Sequence, residues 1–181
     1  METLLPGDCV VVTAKDTFFR RIISYLSRTP KESQTIAVHI GGISSNNTVI
    51  ESLSTVKEYN FEEWKDDIVN FEIWRNNEWE DQEREKISEE LYKYMGRFYG
   101  FWKLFFHVFD LVLSRFTVKE IFFFRRFLNV EKYPICSWVY VYSVYNVTGY
   151  LFNNLKPNWV DPDTMHDHMI KSKKWSIIYQ K

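Results

Sequence analysis

Val38-His39-Ile40-Gly41-Gly42-Ile43, then Ser44-Ser45-Asn46-Asn47, then Thr48-Val49-Ile50-Glu51-Ser52-Leu53 is the stretch whose reading decides the fold. Two β-branched runs flank four small polar residues able to take turn conformations, which predicts a hairpin over 35–43 and 48–53. The length of its loop matters chemically. With an odd loop of three residues, 44–46, His39 and Glu51 sit directly opposite one another, and their side chains share one face. With an even loop they fall on opposite faces and cannot meet.

Outward from this hairpin, Asp8 to Thr13 follows a Pro-Gly turn and reads as a strand. Phe18, Phe19, Ile22, Ile23 and Leu26 recur at helical spacing, and the polar stretch 28–35 with Pro30 reads as a loop. A further strand is predicted near 68–74. An amphipathic helix is predicted from Glu78 to Met95, with Trp79, Ile87, Leu91 and Tyr94 on its apolar side. The aromatic stretch 98–128 reads as two short helices, and another helix is predicted from Pro134 through Cys136 to Tyr145. Asp161-Pro162-Asp163 looks like the start of a last helix, and Trp175 to Tyr179 like a closing strand. One strand, a helix, three strands, a block of helices and a final strand make an α+β domain. We read residues 1–181 as a single domain in which the helical segment 96–132 is an insert, with a small antiparallel sheet packed against helices.

Composition excludes several function classes. Lys+Arg 23 against Asp+Glu 24 leaves a net charge of -1, so no basic field advertises a nucleic-acid partner. No glycine run matches a dinucleotide fingerprint or a phosphate-binding loop. The two cysteines form no disulfide framework and no zinc spacing. The chain starts without a basic region followed by an apolar one, so no signal peptide is predicted. Lys103, Asp110, Arg115, Lys119 and Arg125 interrupt the most apolar region, so no spanning helix is predicted either. The expected location is cytoplasmic, or virion- or phage-associated. One value stands out: aromatics reach 18% and crowd residues 92–152.

Chemistry is left to two cysteines and four histidines. Cys9 lies within a β-branched run and reads as a small buried hydrophobe. Cys136 is predicted in the first turn of a helix, where the dipole and free backbone N–H groups favour a thiolate and can receive an oxyanion. The N–H groups of Cys136 and Ser137 are the candidates for that oxyanion role. His39 on its strand has Glu51 within reach on the next one. A nucleophile, a base and a group that orients the base form the logic of a catalytic triad. His107 lies among phenylalanines and reads as structural. His166 and His168 lie in an acidic stretch that superficially resembles a metal cluster, but on a helix two residues apart point different ways. No metal and no cofactor is expected. Phe122 to Phe127, with Arg125 and Arg126, reads as a core helix with arginines at its edge, with a membrane-interface contact or a substrate groove as alternatives.

The order of these elements resembles the circularly permuted papain-like enzymes, NlpC-type cell-wall peptidases in permuted form, and especially the YiiX-like group. Leu5-Pro6-Gly7-Asp8-Cys9-Val10-Val11 looks like the lead-in to that family's first strand. Val38 to Ile43 followed by Val49-Ile50-Glu51-Ser52 looks like its histidine strand and acidic next strand. Tyr133-Pro134-Ile135-Cys136-Ser137-Trp138-Val139 looks like its cysteine helix. The chain from Trp159 to Ile178 resembles its closing helix and strand. Permutation explains why the cysteine follows the histidine here. Three departures are the doubled Gly41-Gly42, the long loop Lys31 to Thr35 and the unusually aromatic block from Gly96 to Tyr133.

The resemblance implies Cys136 as nucleophile, His39 as base and Glu51 as the polarising third member. It implies a cysteine hydrolase, a thiol peptidase or amidase, acting on a peptide or peptidoglycan fragment through a thioester. The lecithin-retinol acyltransferase type shares this permuted order, which makes lipid acyl transfer or lipid-amide hydrolysis an alternative. Segment 98–128 would then be an acyl groove or a peripheral membrane contact. A non-catalytic interaction domain is the third reading.

Overall fold

Cys9-Val10-Val11-Val12 carries no strongly polar side chain, and that is what the middle of a sheet covered on both faces requires. The computed structural model of the protein describes residues 3–13, 37–98 and 136–181. In it β1 (Cys9–Val12) is fully buried, between β2 (His39–Ile43) on one side and β5 (Phe71–Asn76) on the other. With β3 (Thr48–Ser52), β4 (Val56–Asn60) and β6 (Trp175–Gln180), these strands form a six-stranded antiparallel sheet in the order β4-β3-β2-β1-β5-β6.

Alternation along the strands divides the core in two. Cys9, Val11, Ile40, Ile50 and Trp74 point to one side, where α2 (Asp81–Tyr92), α3 (Cys136–Thr148) and α4 (Pro162–Lys171) pack. Val10, Val12, Val49, Phe71 and Ile73 belong to the opposite cluster, capped by Phe61 and Trp64 of the short α1 (Phe61–Asp67). Helix α3 is buried along its whole first half, from Cys136 to Val141, as an all-round apolar helix must be. Gly42 lets it approach: a Cβ there would lie 2.6 Å from Leu91 Cδ1 of α2 and 2.9 Å from Tyr140 Cδ2 of α3.

Asp8 fastens the start of β1. It is fully buried, accepts from both Arg75 Nε (2.9 Å) and an Arg75 terminal nitrogen (2.6 Å), and lies 3.4 Å from an Arg84 nitrogen. Its carboxylate also accepts from Leu5 N–H at 2.8 Å, closing the Pro-Gly turn. Tyr140 Oη donates to the Gly7 carbonyl at 2.6 Å, so the same turn is tied to the cysteine helix.

The architecture is α+β, a six-stranded antiparallel sheet with four helices among the described residues. Two elements escape the sequence reading. β4 is an edge strand of mixed polarity, Val56-Lys57-Glu58-Tyr59-Asn60, without the β-branched run that marks β2 and β3. Helix α1 is one face wide: only Phe61 and Trp64 are buried, which is too short a pattern to show a period. Its start is nonetheless written locally, since Asn60 Oδ1 accepts from the Glu62 and Glu63 N–H groups. The predicted strand near 68–74 lies over Phe71–Asn76, and the helix predicted from Glu78 begins at Asp81 with Glu80 as cap. Gly96 to Phe98 are not helical: they form a turn and a β-bridge from Phe98 to Thr55. The rest of the expected insert, the helix near 18–26 and the loop 28–35 lie outside the described residues. Among the described residues, no helix is long and apolar enough to cross a membrane.

Candidate functional site

The hairpin turns one residue later than a 44–46 loop predicts. Ser44 N–H donates to the Thr48 carbonyl at 2.9 Å, and Asn47 takes the left-handed conformation (φ 56°) that asparagine tolerates. The register therefore pairs Gly41 with Glu51, Gly42 with Ile50 and Ile43 with Val49. The loop keeps its odd length, so the shared face survives, but His39 and Glu51 are diagonal neighbours rather than directly opposed. Gly41 makes the diagonal usable. Having no side chain, it leaves open the position facing Glu51, and Glu51 Oε2 reaches His39 Nε2 at 2.8 Å. A Cβ at position 41 would lie 3.4 Å from Glu51 Cβ and 3.2 Å from both Val49 Cγ1 and the Ile50 carbonyl. The doubled glycine thus serves both faces, Gly41 the polar pair and Gly42 the helices.

Helix α3 brings Cys136 to the same imidazole. The Cys136 thiol hydrogen-bonds His39 and receives backbone hydrogen bonds from Ile40 and Ser137. These backbone bonds lower the thiol pKa, so the donors are N–H groups. Cys136, His39 and Glu51 are only 4%, 3% and 4% exposed, so their mutual interactions act with little screening by water. Burial pushes the Cys136 thiol up, but the charge and hydrogen bond of His39, with the two N–H groups, outweigh it and the thiol is net acidified. Burial likewise pulls His39 down, but Glu51 and Cys136 together raise it to about 10. Both shifts favour one species, a thiolate–imidazolium pair backed by a carboxylate.

The other candidates among the described residues lie outside this cluster. Cys9 is buried in β1 with its pKa raised, first by burial and then by the Asp8 charge. His166 Nε2 hydrogen-bonds Glu72 Oε2 at 2.8 Å, while His168 Nε2 pairs with Tyr150 Oη at 2.7 Å. The two histidines do point to different partners, as their spacing on a helix requires. His107 and the stretch 122–127 lie outside the described residues. No group of three or more His, Cys, Asp or Glu side chains among the described residues is placed to hold a metal ion. Three features were not foreseen from the sequence. The Ile40 N–H on the thiol is a backbone group with no residue signature, and Gly41 was readable only as an oddity. The third is Tyr59 of β4, diagonal to Glu51 and raised in pKa by burial and by the Glu51 charge.

No family model matches the chain, and no curated protein matches it in sequence. In three dimensions the sheet order and the helices packed on it define a YiiX-like α+β fold. The likeness is to the crystal structure of the metalloprotein yiiX from Escherichia coli O157:H7, with a TM-score of 0.59 at 11% sequence identity. It covers 98% of this chain and 97% of that one. At that identity the likeness is one of fold.

Proposed function

We propose that the protein is a thiol hydrolase of amide bonds, with Cys136 as nucleophile, His39 as its proton partner and Glu51 holding the imidazole. The observation that supports this most directly is the buried chain of hydrogen bonds from Glu51 through His39 to Cys136, in which the thiol is acidified and the imidazole made more basic. Cys136 Sγ attacks the carbonyl carbon while backbone N–H groups at the helix start, those of Cys136 and Ser137, receive the oxyanion. With Nε2 engaged by Glu51, Nδ1 of His39 is the nitrogen left to protonate the departing amine. The thioester then forms, and water activated by the same imidazole releases the acid. The substrate class we favour is a peptide or peptidoglycan fragment.

A second reading, transfer or hydrolysis of an acyl group from lipid, draws on two exposed apolar side chains. Leu53, two residues beyond Glu51, is 39% exposed, and Phe98, bridged to Thr55, is 68% exposed. The test is a panel of muropeptides, peptides and acyl esters turned over by wild type and by Cys136→Ala. Hydrolysis of an amide member that is lost in Cys136→Ala supports the proposal. Turnover confined to acyl esters favours the lipid reading, and equal background with both proteins refutes catalysis at Cys136.

A further inference from the structure

The acidic stretch that opens α4 has no part in the proposed reaction, yet two of its residues reach the two arms of the site. Ser137, beside the nucleophile, donates its Oγ hydrogen bond to the Val160 carbonyl at 2.9 Å, and both residues are buried. Three residues further on, the Asp163 carboxylate accepts the Ala37 N–H at 3.3 Å. Ala37 is fully buried, Asp163 is 5% exposed, and Ala37 enters β2 two residues before His39. Between them Asp161 caps the helix, its Oδ1 accepting from Thr164 N–H at 2.8 Å, which fixes the backbone linking the two contacts. The chain leading into α4 is thus bonded to the start of the cysteine helix through Val160, and the first turn of α4 to the residue entering the histidine strand through Asp163. These elements come from distant parts of the chain and share no covalent restraint.

We infer that Val160 to Asp163 is a clamp, with Asp163 a positioning residue that sets the Cys136–His39 distance through Ala37. This inference rests on the thiol-hydrolase reading. An acidic residue in a first helical turn is commonplace, because the dipole favours it. A dipole role, however, does not require a buried carboxylate to accept from a strand in another part of the chain. A buried N–H has few acceptors within reach, so removing the carboxylate leaves Ala37 to move until it finds another. That motion is passed to His39 along two residues of extended backbone.

The experiment measures the rate of Cys136 alkylation by iodoacetamide against pH, in wild type, Asp163→Ala, Asp163→Asn and Ser137→Ala, with sites assigned by mass spectrometry. Wild type reads the parent proposal: a midpoint at the ordinary thiol value of about 8.5 refutes the thiolate pair itself. Given an acidified wild type, Asp163→Ala is expected to move the midpoint up toward that value and to slow labelling at about pH 6.5 roughly tenfold. Asp163→Asn keeps an oxygen for Ala37 and is expected to recover most of the wild-type profile, whereas a dipole or charge role predicts that it fails with Asp163→Ala. Ser137→Ala loosens the other arm and is expected to shift in the same direction, and it decides the matter if Asp163→Ala does not fold. A folded Asp163→Ala or Ser137→Ala that titrates like wild type overturns the clamp, even if its thermal midpoint has fallen.

Discussion

Replacing Glu51 by Gln keeps the size of the side chain and its capacity to accept a hydrogen bond, while removing its charge from a buried pair. His39 stands at about 10 where an unperturbed imidazole stands at 6.5. That difference corresponds to about 5 kcal/mol in favour of the imidazolium, net of the burial that opposes it. Glu51 and Cys136 share the credit, with the Glu51 charge the larger of the stabilising influences. A directly bonded opposite charge is ordinarily worth about 1–3 pKa units, so its removal predicts a loss of the thiolate–imidazolium species of at least about tenfold at about pH 6. The assay is the second-order rate of iodoacetamide labelling at Cys136 across pH. In Glu51→Gln the labelling rate should fall about tenfold or more near pH 6 and approach wild type near pH 9, where the thiol ionises without help. His39→Ala should remove the acid shift altogether. A Glu51→Gln protein with the wild-type profile would refute the reasoning, and so would a loss equal at every pH, since that would be damage to structure rather than to charge.

Three further outcomes test the framework around the site. Gly42→Ala puts a methyl 2.6 Å from Leu91 Cδ1 and should cost about 1–3 kcal/mol in denaturant unfolding; the milder crowding of Gly41→Ala, whose Cβ would lie 3.4 Å from Glu51 Cβ, should show in activity more than in stability. Asp8→Asn leaves Arg75 and the buried Arg84 without their carboxylate, and the expected loss is about 3–5 kcal/mol by the same measurement, as when one partner of a buried pair is removed. Burial raises Glu72, but hydrogen bonds from His166 and Trp74 outweigh it and hold it below its ordinary 4.5. A carboxyl lowered by folding contributes stability in full above its unfolded value and loses it as pH falls through its folded value. The difference in thermal midpoint between wild type and Glu72→Gln should therefore be full above the ordinary carboxyl value of about 4.3 and shrink progressively as the solution is acidified below it.

The three side chains of the candidate site were legible because each has a local sequence cause. The β-branched runs placed His39 and Glu51 on neighbouring strands, and the parity of the loop put them on one face. Pro134 and the apolar run after Cys136 placed the cysteine near a helix start. What parity could not give was the register. Each of Ser44 to Asn47 accepts a turn conformation, so composition did not decide between turning at 44–46 and at 45–47. Asn47 adopts the positive φ, the turn moves by one residue, and the partner of Glu51 moves by two, from His39 to Gly41. β4 and α1 were missed for a different reason: their pattern is set by what they cover, Phe61 and Trp64 closing the second face of the sheet, and not by any period of their own. The Asp163 contact with Ala37 spans distant segments, and no local pattern announces such a bond.

The three members of the site also differ in when they can come together. His39 and Glu51 are joined by a single hairpin, a loop closure that a chain completes in microseconds. Cys136 reaches them only when α3 docks against β2, a contact between distant parts of the sequence whose loop-closure entropy is larger than that of the hairpin. Until then the thiol lacks the imidazolium, the Ile40 N–H and the buried surroundings that acidify it. On the proposed reading, the acidity of Cys136 is thus conferred by completed folding: a nascent or partly unfolded chain carries an ordinary cysteine, and the thiol is acidified by the step that docks its helix on the sheet.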